Sequence, residues 1–404
     1  MINVELYSKT LESETKLEGW IENEYYKGWD PYDGLYSNFL NKHVKNIYLQ
    51  ILLVQLSRVS PINFRPLLGI KKDIDLKGIS LILLAYSNLY QATHDASYLK
   101  RAEVLKDMIL ARSLKSHYGY HCWSSHYYTY VGVDKSKMLP NVPDVIGTIN
   151  CIKGLSAYYH IHPDDEVKEI LRSTYDFFKK NIVTSEAGIT YVLYNPVTLH
   201  KIVPNATAEM LDALSCSFPI IPDEEMRVLA QNCLVSMFDL QKKDGTWKYA
   251  YYHDGHEYQQ LDFHQGYMID GWLGFRKYVD ADYADTLEKS LQKAISAYMQ
   301  QFPDMKRCYY RKPKFYPIET HNQSQGIITF AALYREYGND IYLQYLEKIL
   351  DWTIDNLQLK NGTFIYQKGR IIVNRIPYMR WTQAWMLVAL SQVVLHKSLR
   401  SDSL

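Results

Sequence analysis

Four carboxylates and one histidine are the side chains best placed in this sequence for acid/base chemistry. They lie at or near the openings of predicted helices, or in an N-terminal turn: Asp33, Asp144, Glu209, Asp262 and His264. Glycosidic bonds are typically cleaved by two carboxylates on opposite sides of a sugar, about 5 to 9 Å apart. A carboxylate and an imidazole two residues apart can also donate and accept protons. The residue types therefore predict acid/base catalysis, but an aspartate at a helix opening can equally be an N-cap.

The histidines and tyrosines are also compatible with epimerase or lyase chemistry. An epimerase or a lyase needs two groups that transfer protons, and His264, His321 and His126 are candidates together with the tyrosines. The spacing of these residues does not choose between hydrolysis, elimination and epimerisation.

Polar and aromatic side chains near the same openings could bind a sugar. Tryptophan and tyrosine offer flat apolar faces with a polar edge, and arginine pairs with carboxylates or phosphates through two hydrogen bonds. The predicted binding residues are Trp29, Asp30, Tyr32, His126, His321, Gln325, Arg380, Trp381, Gln383 and Trp385. Two alternatives remain: the tryptophans at 381 and 385 could pack in the core, and Arg380 could form a buried ion pair.

The helix openings recur with a period close to sixty residues. Successive openings at Asp144, Asn205, Asp262, Thr320 and Arg380 are separated by 61, 57, 58 and 60 residues, and a looser copy begins near residue 75. A fixed period indicates one supersecondary unit that is repeated along the chain.

Each repeat contains two different helices. The first has few charges and many small residues, and the second has charged residues between apolar ones at helical spacing. Six such pairs can bury the first helices by closing into a ring, so we expect an all-α (α/α)6 toroid over residues 1–404 as one domain. An open superhelix of helix pairs is the alternative. Asp244-Gly245 and Asn361-Gly362, each followed by alternating residues, predict short β-hairpins in the loops between repeats.

The composition and the motifs argue against several classes of binding partner and cofactor. The net charge of +1 gives no electrostatic reason to expect nucleic acid or an anionic membrane. No apolar run approaches the length of about 18 residues that a membrane span needs, and the N-terminus lacks a signal pattern, so we expect a cytoplasmic protein without membrane insertion. No phosphate loop, dinucleotide fingerprint or zinc-ligand spacing is present. We therefore expect no metal and no cofactor, and the oligomeric state stays open.

Three motifs resemble a known group of proteins. "GWDPYDGL" at 28–35, "DFHQG" at 262–266 and "RWTQAW" at 380–385 are similar to motifs in proteins of bacterial polysaccharide and capsule biosynthesis clusters, which are related to (α/α)6-barrel glycan-active enzymes. Those proteins tend to have threonine where this chain has Gln265. Unsaturated-uronyl hydrolases of this architecture use an aspartate at the start of an inner helix to protonate a vinyl ether, a role that the resemblance transfers to Asp144.

The resemblance implies a carbohydrate-processing enzyme of surface-polysaccharide metabolism that acts on an oligosaccharide. A glycoside hydrolase or a lyase-like enzyme is the main prediction. A cofactor-independent sugar epimerase and a non-catalytic glycan-binding or assembly protein are the alternatives.

Overall fold

The chain is predominantly helical. A computed structural model describes residues 2–124, 129–131, 136–197 and 201–401. Its α-helices are α1 Val4–Asn23, α2 Asn38–His43, α3 Ile47–Val59, α4 Leu76–Thr93, α5 Ala96–Leu110, α6 Lys115–Tyr118, α7 Val145–Ile161, α8 Asp165–Phe177, α9 Pro204–Ser217, α10 Glu224–Asp239, α11 His264–Phe275, α12 Ala281–Met299, α13 Thr320–Tyr337, α14 Asp340–Leu357 and α15 Trp385–Ser401.

Short antiparallel strands lie in the connections between helix pairs. They are β1 Thr129–Val131, β2 Ser136–Met138, β3 Val183–Glu186, β4 Ile189–Val192, β5 Lys201–Ile202, β6 Ala250–Tyr252, β7 Glu257–Tyr258, β8 Ile318–Glu319, β9 Gln367–Lys368 and β10 Val373–Asn374. β5, β6 and β7 form one small sheet, and β8, β9 and β10 form another. The prediction of short hairpins in the loops between repeats is confirmed. Their turns lie at 253–256 between β6 and β7 and at 369–372 between β9 and β10, and not at the predicted Asp244-Gly245 and Asn361-Gly362.

Six inner helices form a closed ring. Each contacts the next in the order α4, α7, α9, α11, α13 and α15, and α15 returns to contact α4. The (α/α)6 toroid predicted from the sixty-residue period is therefore confirmed. Small residues allow the close approach, since a Cβ added at Gly154 of α7 would lie 2.7 Å from the carbonyl oxygen of Ser80 in α4.

The outer helix of the sixth pair comes from the N-terminus. α1 contacts both α14 and α15, and the side chain of Lys9 lies 2.6 Å from Asp351 and from Asp355 on α14. This helix is not recognisable in the sequence as part of a repeat, because its partner in the ring lies at the other end of the chain.

Aspartates cap two of the inner helices, which is the alternative to a catalytic role that the sequence left open. Asp75 accepts a hydrogen bond from the Gly78 amide (2.9 Å) at the start of α4, and Asp144 accepts one from the Gly147 amide (2.7 Å) at the start of α7. Each carboxylate satisfies a backbone donor that lacks a partner within the helix. Among the described residues, no α-helix is both long and apolar enough to span a bilayer.

The buried carboxyl of Glu14 in α1 makes the stability of the fold depend on pH. Burial raises the pKa of Glu14 from 4.5 to about 8, helped by the nearby Glu18 and opposed by Arg101, and its Oε1 has no hydrogen-bond partner. Because the folded-state pKa lies above the unfolded one, stability is lost as pH rises from about 4.5 to 8. We expect Glu14→Gln to raise the free energy of unfolding by up to about 4 kcal/mol at pH 9 and to change it little at pH 4. Urea denaturation at the two pH values measures this, and an equal effect at both would contradict it.

Candidate active site

A cavity of about 400 Å³ lies where the six inner helices begin. Every inner helix contributes at least one lining residue from its first turns or from the segment just before it. Seven of the lining side chains are tyrosines: Tyr32, Tyr194, Tyr249, Tyr258, Tyr267, Tyr310 and Tyr366. A concave site with aromatic faces and hydroxyl edges suits a polar ring compound.

Asp262 and His264 form a hydrogen-bonded pair in the wall. The Asp262 Oδ1 lies 2.6 Å from His264 Nδ1, and its Oδ2 accepts a hydrogen bond from Gln260 (2.6 Å). Burial alone would raise the pKa of the Asp262 carboxyl, but His264, and more weakly Arg311, bring it below its ordinary value. A carboxylate at Nδ1 places the proton on that nitrogen and leaves the lone pair of the neutral imidazole on Nε2. Since Nε2 has no hydrogen-bond partner among the described residues, His264 has the arrangement of a general base.

Glu319 is the second carboxyl of the wall with a shifted pKa. It directly precedes α13 and is buried, and its two oxygens accept hydrogen bonds from Trp381 Nε1 and Gln367 Nε2, both 2.7 Å long. Burial raises the pKa of Glu319, the two hydrogen bonds offset part of that effect, and the charge of Asp262 raises the pKa further. A carboxyl that stays protonated at higher pH can serve as a general acid.

The environments of the two carboxyl groups therefore shift their pKa values in opposite directions. Asp262 is held in the ionised form by its histidine, while Glu319 is pushed towards the protonated form by burial. Two carboxyls in one site whose pKa values move in opposite directions are the usual sign of an acid and a base.

A second histidine lies deeper in the wall. His321 is buried, its Nε2 lies 2.8 Å from the hydroxyl of Tyr267, and its Nδ1 has no hydrogen-bond partner among the described residues. Burial lowers the pKa of His321 well below its ordinary value, and the nearby Lys77 adds to this effect. The ring is therefore neutral and stacks on Phe263, which also stacks on His264.

Arg380 is bound to carboxylates of the protein. Its guanidinium lies 2.6 Å from Asp30 and 3.6 Å from Asp75, and both carboxylates are buried. The buried ion pair that sequence analysis held as the alternative for Arg380 is present. This arrangement leaves little capacity for an anionic ligand.

Other cations line the cavity without such partners. Arg58 of α3 and Lys77 of α4 have no carboxylate within 4.0 Å among the described residues. The Lys77 ammonium lies 5.0 Å from the ring centre of Trp385, and burial lowers its pKa although Glu209 opposes the shift. Arg311 lies 3.9 Å from Asp262. An anionic group in the cavity could pair with these side chains.

The structure brings together about half of the residues selected from the sequence. Those that line the cavity are Asp30, Tyr32, Glu209, Asp262, His264, His321, Arg380 and Trp381. His126 lies outside the described residues. The lining residues that sequence analysis missed include Glu319, Lys77 and Arg58; the first of these stands beside the opening at Thr320 and could have been found there, whereas Arg58 lies in a helix outside the repeats.

Two predicted catalytic aspartates do not line the cavity. Asp33 is buried in an ion pair with Arg65, whose Nε lies 2.7 Å from its Oδ1. Asp144 is buried as the N-cap of α7. In both cases the carboxylate serves local structure, because buried charges and orphan helix amides need partners.

Four predicted binding residues also lie away from the cavity lining. Trp29 donates to the Ile70 carbonyl (3.3 Å), and Gln325 donates to Asp270 (2.6 Å). Gln383 is buried. Its side-chain oxygen accepts a hydrogen bond from the Phe364 amide, and its side-chain nitrogen donates one to the Phe364 carbonyl. Trp385 packs beneath the lining, with its ring 5.7 Å from that of Tyr267.

A π-helical turn separates the two tryptophans before α15. Residues Met379–Ala384 form this turn, in which the Gln383 amide donates to the Tyr378 carbonyl five residues back. In a continuous α-helix, Trp381 and Trp385 would lie on one face because they are four residues apart. The wider turn places Trp381 in the cavity lining and leaves Trp385 in the core, where it still contacts His321.

No protein-family model and no curated protein matches this chain. Solved structures do match. A cellobiose 2-epimerase from Spirochaeta thermophila is 13% identical over 82% of this chain and 87% of its own, with a TM-score of 0.60. An α-mannanase of glycoside hydrolase family 76 from Bacteroides thetaiotaomicron is 12% identical over 83% and 90%, with a TM-score of 0.66. A glycosyl hydrolase of family 88 from Bacteroides vulgatus is 14% identical over 79% and 91%, with a TM-score of 0.58.

These comparisons establish the fold. The chain is an (α/α)6 toroid. The matched proteins are named as an epimerase and as hydrolases, and identities this low do not choose between their reactions. Among the described residues, no cluster of three or more histidine, cysteine or carboxylate side chains is arranged to hold a metal ion.

Proposed function

We propose that this chain is a carbohydrate-processing enzyme that hydrolyses a glycosidic bond in an oligosaccharide. Glu319 acts as the general acid, and His264, oriented by Asp262, acts as the general base. The observation that carries the proposal is the opposite direction of the pKa shifts of Asp262 and Glu319 in one cavity.

The proposed reaction needs no reactant besides the oligosaccharide and one water molecule. The Glu319 carboxyl gives its proton to the oxygen of the leaving sugar as the glycosidic bond breaks. His264 Nε2 takes a proton from the water that attacks the anomeric carbon, and Asp262 stabilises the imidazolium that forms. This single displacement inverts the anomeric configuration. Retention would require a carboxylate nucleophile, and Glu209, which also lines the cavity, is the candidate.

The proposed substrate carries an acidic group. Arg58 and Lys77 line the cavity without a carboxylate within 4.0 Å, and Arg311 is only loosely paired. Cations that are desolvated without a partner are costly, and a uronate or another anionic substituent would offset that cost. The seven lining tyrosines and Trp381 would contact the sugar rings.

A cofactor-independent epimerase is the second candidate. Its support is the pair of histidines, since His264 Nε2 and His321 Nδ1 have no hydrogen-bond partners among the described residues. Two imidazoles could remove and return a proton at one carbon. A role in surface-polysaccharide metabolism is part of the proposal and rests on the motifs at 28–35, 262–266 and 380–385. A single domain and a cytoplasmic location are also proposed.

The test is a panel of acidic and neutral oligosaccharides incubated with the enzyme and with its Glu319→Gln variant in deuterated water. Hydrolysis releases shorter sugars that have gained one water, and NMR of the fresh product reports its anomeric configuration. Epimerisation leaves the mass of the chain unchanged except for one incorporated deuterium, and elimination gives an unsaturated product. Binding without any product would favour the glycan-binding alternative and contradict the proposal.

A further inference from the structure

Exposed apolar side chains are concentrated in one short stretch of the chain. Nineteen large hydrophobic residues are exposed in the described chain, and ten of them lie between residues 39 and 67. They are Phe39, Ile47, Tyr48, Leu49, Leu52, Leu56, Val59, Ile62, Phe64 and Leu67. We call residues 39–67 the exposed apolar segment. Clusters of this kind on a monomer usually mark an interaction surface.

α3, in the middle of this segment, presents its apolar stripe to solvent. Leu49, Leu52, Leu56 and Val59 follow one another at spacings of three, four and three residues, so they share one helix face. All four are exposed. The opposite face buries Val54 and Gln50, and the Gln50 amide donates to the Val44 carbonyl (2.5 Å). An ordinary surface helix turns its apolar stripe inward. This helix therefore has an unpartnered apolar face.

The charge of the same region identifies the kind of partner. Between residues 34 and 72 there are six basic side chains and no aspartate or glutamate. Two of them, Arg65 and Lys72, pair with Asp33 and Glu24 outside this range, and the other four are Lys42, Lys45, Arg58 and Lys71. The whole chain carries +1, so the rest of it carries −5. The overall charge gave no reason to expect an anionic membrane, because it averages over this asymmetry. Basic charge beside exposed leucines is the pattern of an element that lies in the interface of an anionic bilayer.

A neighbouring hairpin extends this surface. The Asn374 side chain at the end of β10 donates to the Ser60 carbonyl (2.9 Å), which holds the β9–β10 hairpin beside the C-terminus of α3. Ile371 and Ile372 in its turn are exposed, and the stretch from Lys368 to Arg375 contains no acidic residue. The apolar and basic surface of α3 thus continues onto the β9–β10 hairpin.

We propose that the exposed apolar segment binds the surface of an anionic lipid bilayer. α3 has 13 residues and is too short to span a membrane, which takes about 20, so the segment lies in the interface with its leucines among the acyl chains. Gln55 and Arg58 of the same helix line the cavity. Membrane binding would therefore place the candidate active site beside the lipid headgroups. A second copy of this chain is the other possible occupant, and it would lack the complementary negative charge that the basic residues favour.

The experiment measures binding to vesicles of phosphatidylcholine with and without phosphatidylglycerol. We expect co-sedimentation with the anionic vesicles that weakens with salt. Leu52→Gln/Leu56→Gln should weaken it at least about a hundredfold, because two leucines no longer enter the bilayer. Both side chains are half exposed, at 50% and 52%, so the melting temperature should not fall. The matched control is Val104→Gln/Val228→Gln, at 52% and 40% exposure on α5 and α10, which should bind like the wild type.

A second pair of variants tests the charge. Lys42→Gln/Lys71→Gln should weaken binding to anionic vesicles about 25-fold, at about fivefold for each charge, and Lys100→Gln/Lys293→Gln on α5 and α12 should not. All four lysines are exposed. Absence of vesicle binding by a monomeric wild type would overturn the proposal. So would a dimer in sedimentation velocity that Leu52→Gln/Leu56→Gln dissociates, since the apolar face would then serve a second copy. Neither readout depends on the proposed reaction.

Discussion

Replacing Glu319 with glutamine is expected to lower kcat by about 10²- to 10⁴-fold on the oligosaccharide that the panel identifies. The amide can still accept the hydrogen bond from Trp381, but it cannot give a proton to the leaving oxygen. Steady-state kinetics measures the loss. An aryl glycoside with a readily departing phenolate needs little acid assistance, so the variant should turn it over nearly as fast as the wild type.

The pH profile separates a catalytic role of Glu319 from a structural one. Burial holds the pKa of Glu319 above its ordinary value, so wild-type activity should fall on the alkaline side when this carboxyl loses its proton. The variant should lack that alkaline limb. His264→Gln is the companion variant and should keep the alkaline limb, because Glu319 is unchanged in it. Equal losses on the natural and the activated substrate would show that Glu319 is not the acid.

Folding of the variant is not expected to suffer. A carboxyl whose folded-state pKa is raised costs stability above its unfolded pKa, because the folded state binds more protons in that pH range. Glu319→Gln should therefore leave the melting temperature at pH 8 unchanged or raise it. A lower melting temperature at pH 8 would contradict the direction of the pKa shift.

Replacing Arg380 with alanine is expected to lower the free energy of unfolding by about 3–5 kcal/mol. The substitution leaves Asp30 and Asp75 buried without their cation, and removal of one partner from a buried ion pair costs about this much. Urea denaturation measures the loss. A change below about 1 kcal/mol would show that water reaches these carboxylates.

Arg58→Ala is the matched comparison in the same cavity. Arg58 bonds to Gln55 (3.1 Å) and has no carboxylate within 4.0 Å among the described residues, so stability should change little. Affinity for an acidic oligosaccharide should fall about 10- to 100-fold, since a hydrogen bond to a charged group contributes about 1.5–3 kcal/mol. Affinity for a neutral oligosaccharide should stay the same. Unchanged binding of the acidic ligand would contradict the assignment of an anionic substrate.

The sequence-predicted pair that lines the cavity is local in the sequence. Asp262 and His264 are two residues apart at a helix opening, and a hydrogen bond between them requires only the turn that begins α11. The period of sixty residues also put the helix openings at one end of a ring, and it is there that the cavity lies. Both predictions depend on short-range geometry that the amino-acid pattern carries.

The features that the sequence left open or did not reveal depend on partners far apart in the chain or on burial. Asp30 and Arg380 are 350 residues apart, and their contact removes Arg380 from the set of cations available to a ligand. Asp33 was predicted as a catalytic carboxylate, but Arg65 pairs with it in the interior. Glu319 gains its raised pKa from burial, which no neighbouring residue in the sequence reveals.

The sequence by itself determined the repeat, the ring of helix pairs and the concentration of polar and aromatic residues at the helix openings. Only the tertiary structure decided which of those side chains line the cavity and which cap a helix or neutralise a buried charge. The physical reason is that periodicity follows from local helix geometry, whereas the ionisation state and availability of a side chain depend on its burial and on charges brought to it by ring closure.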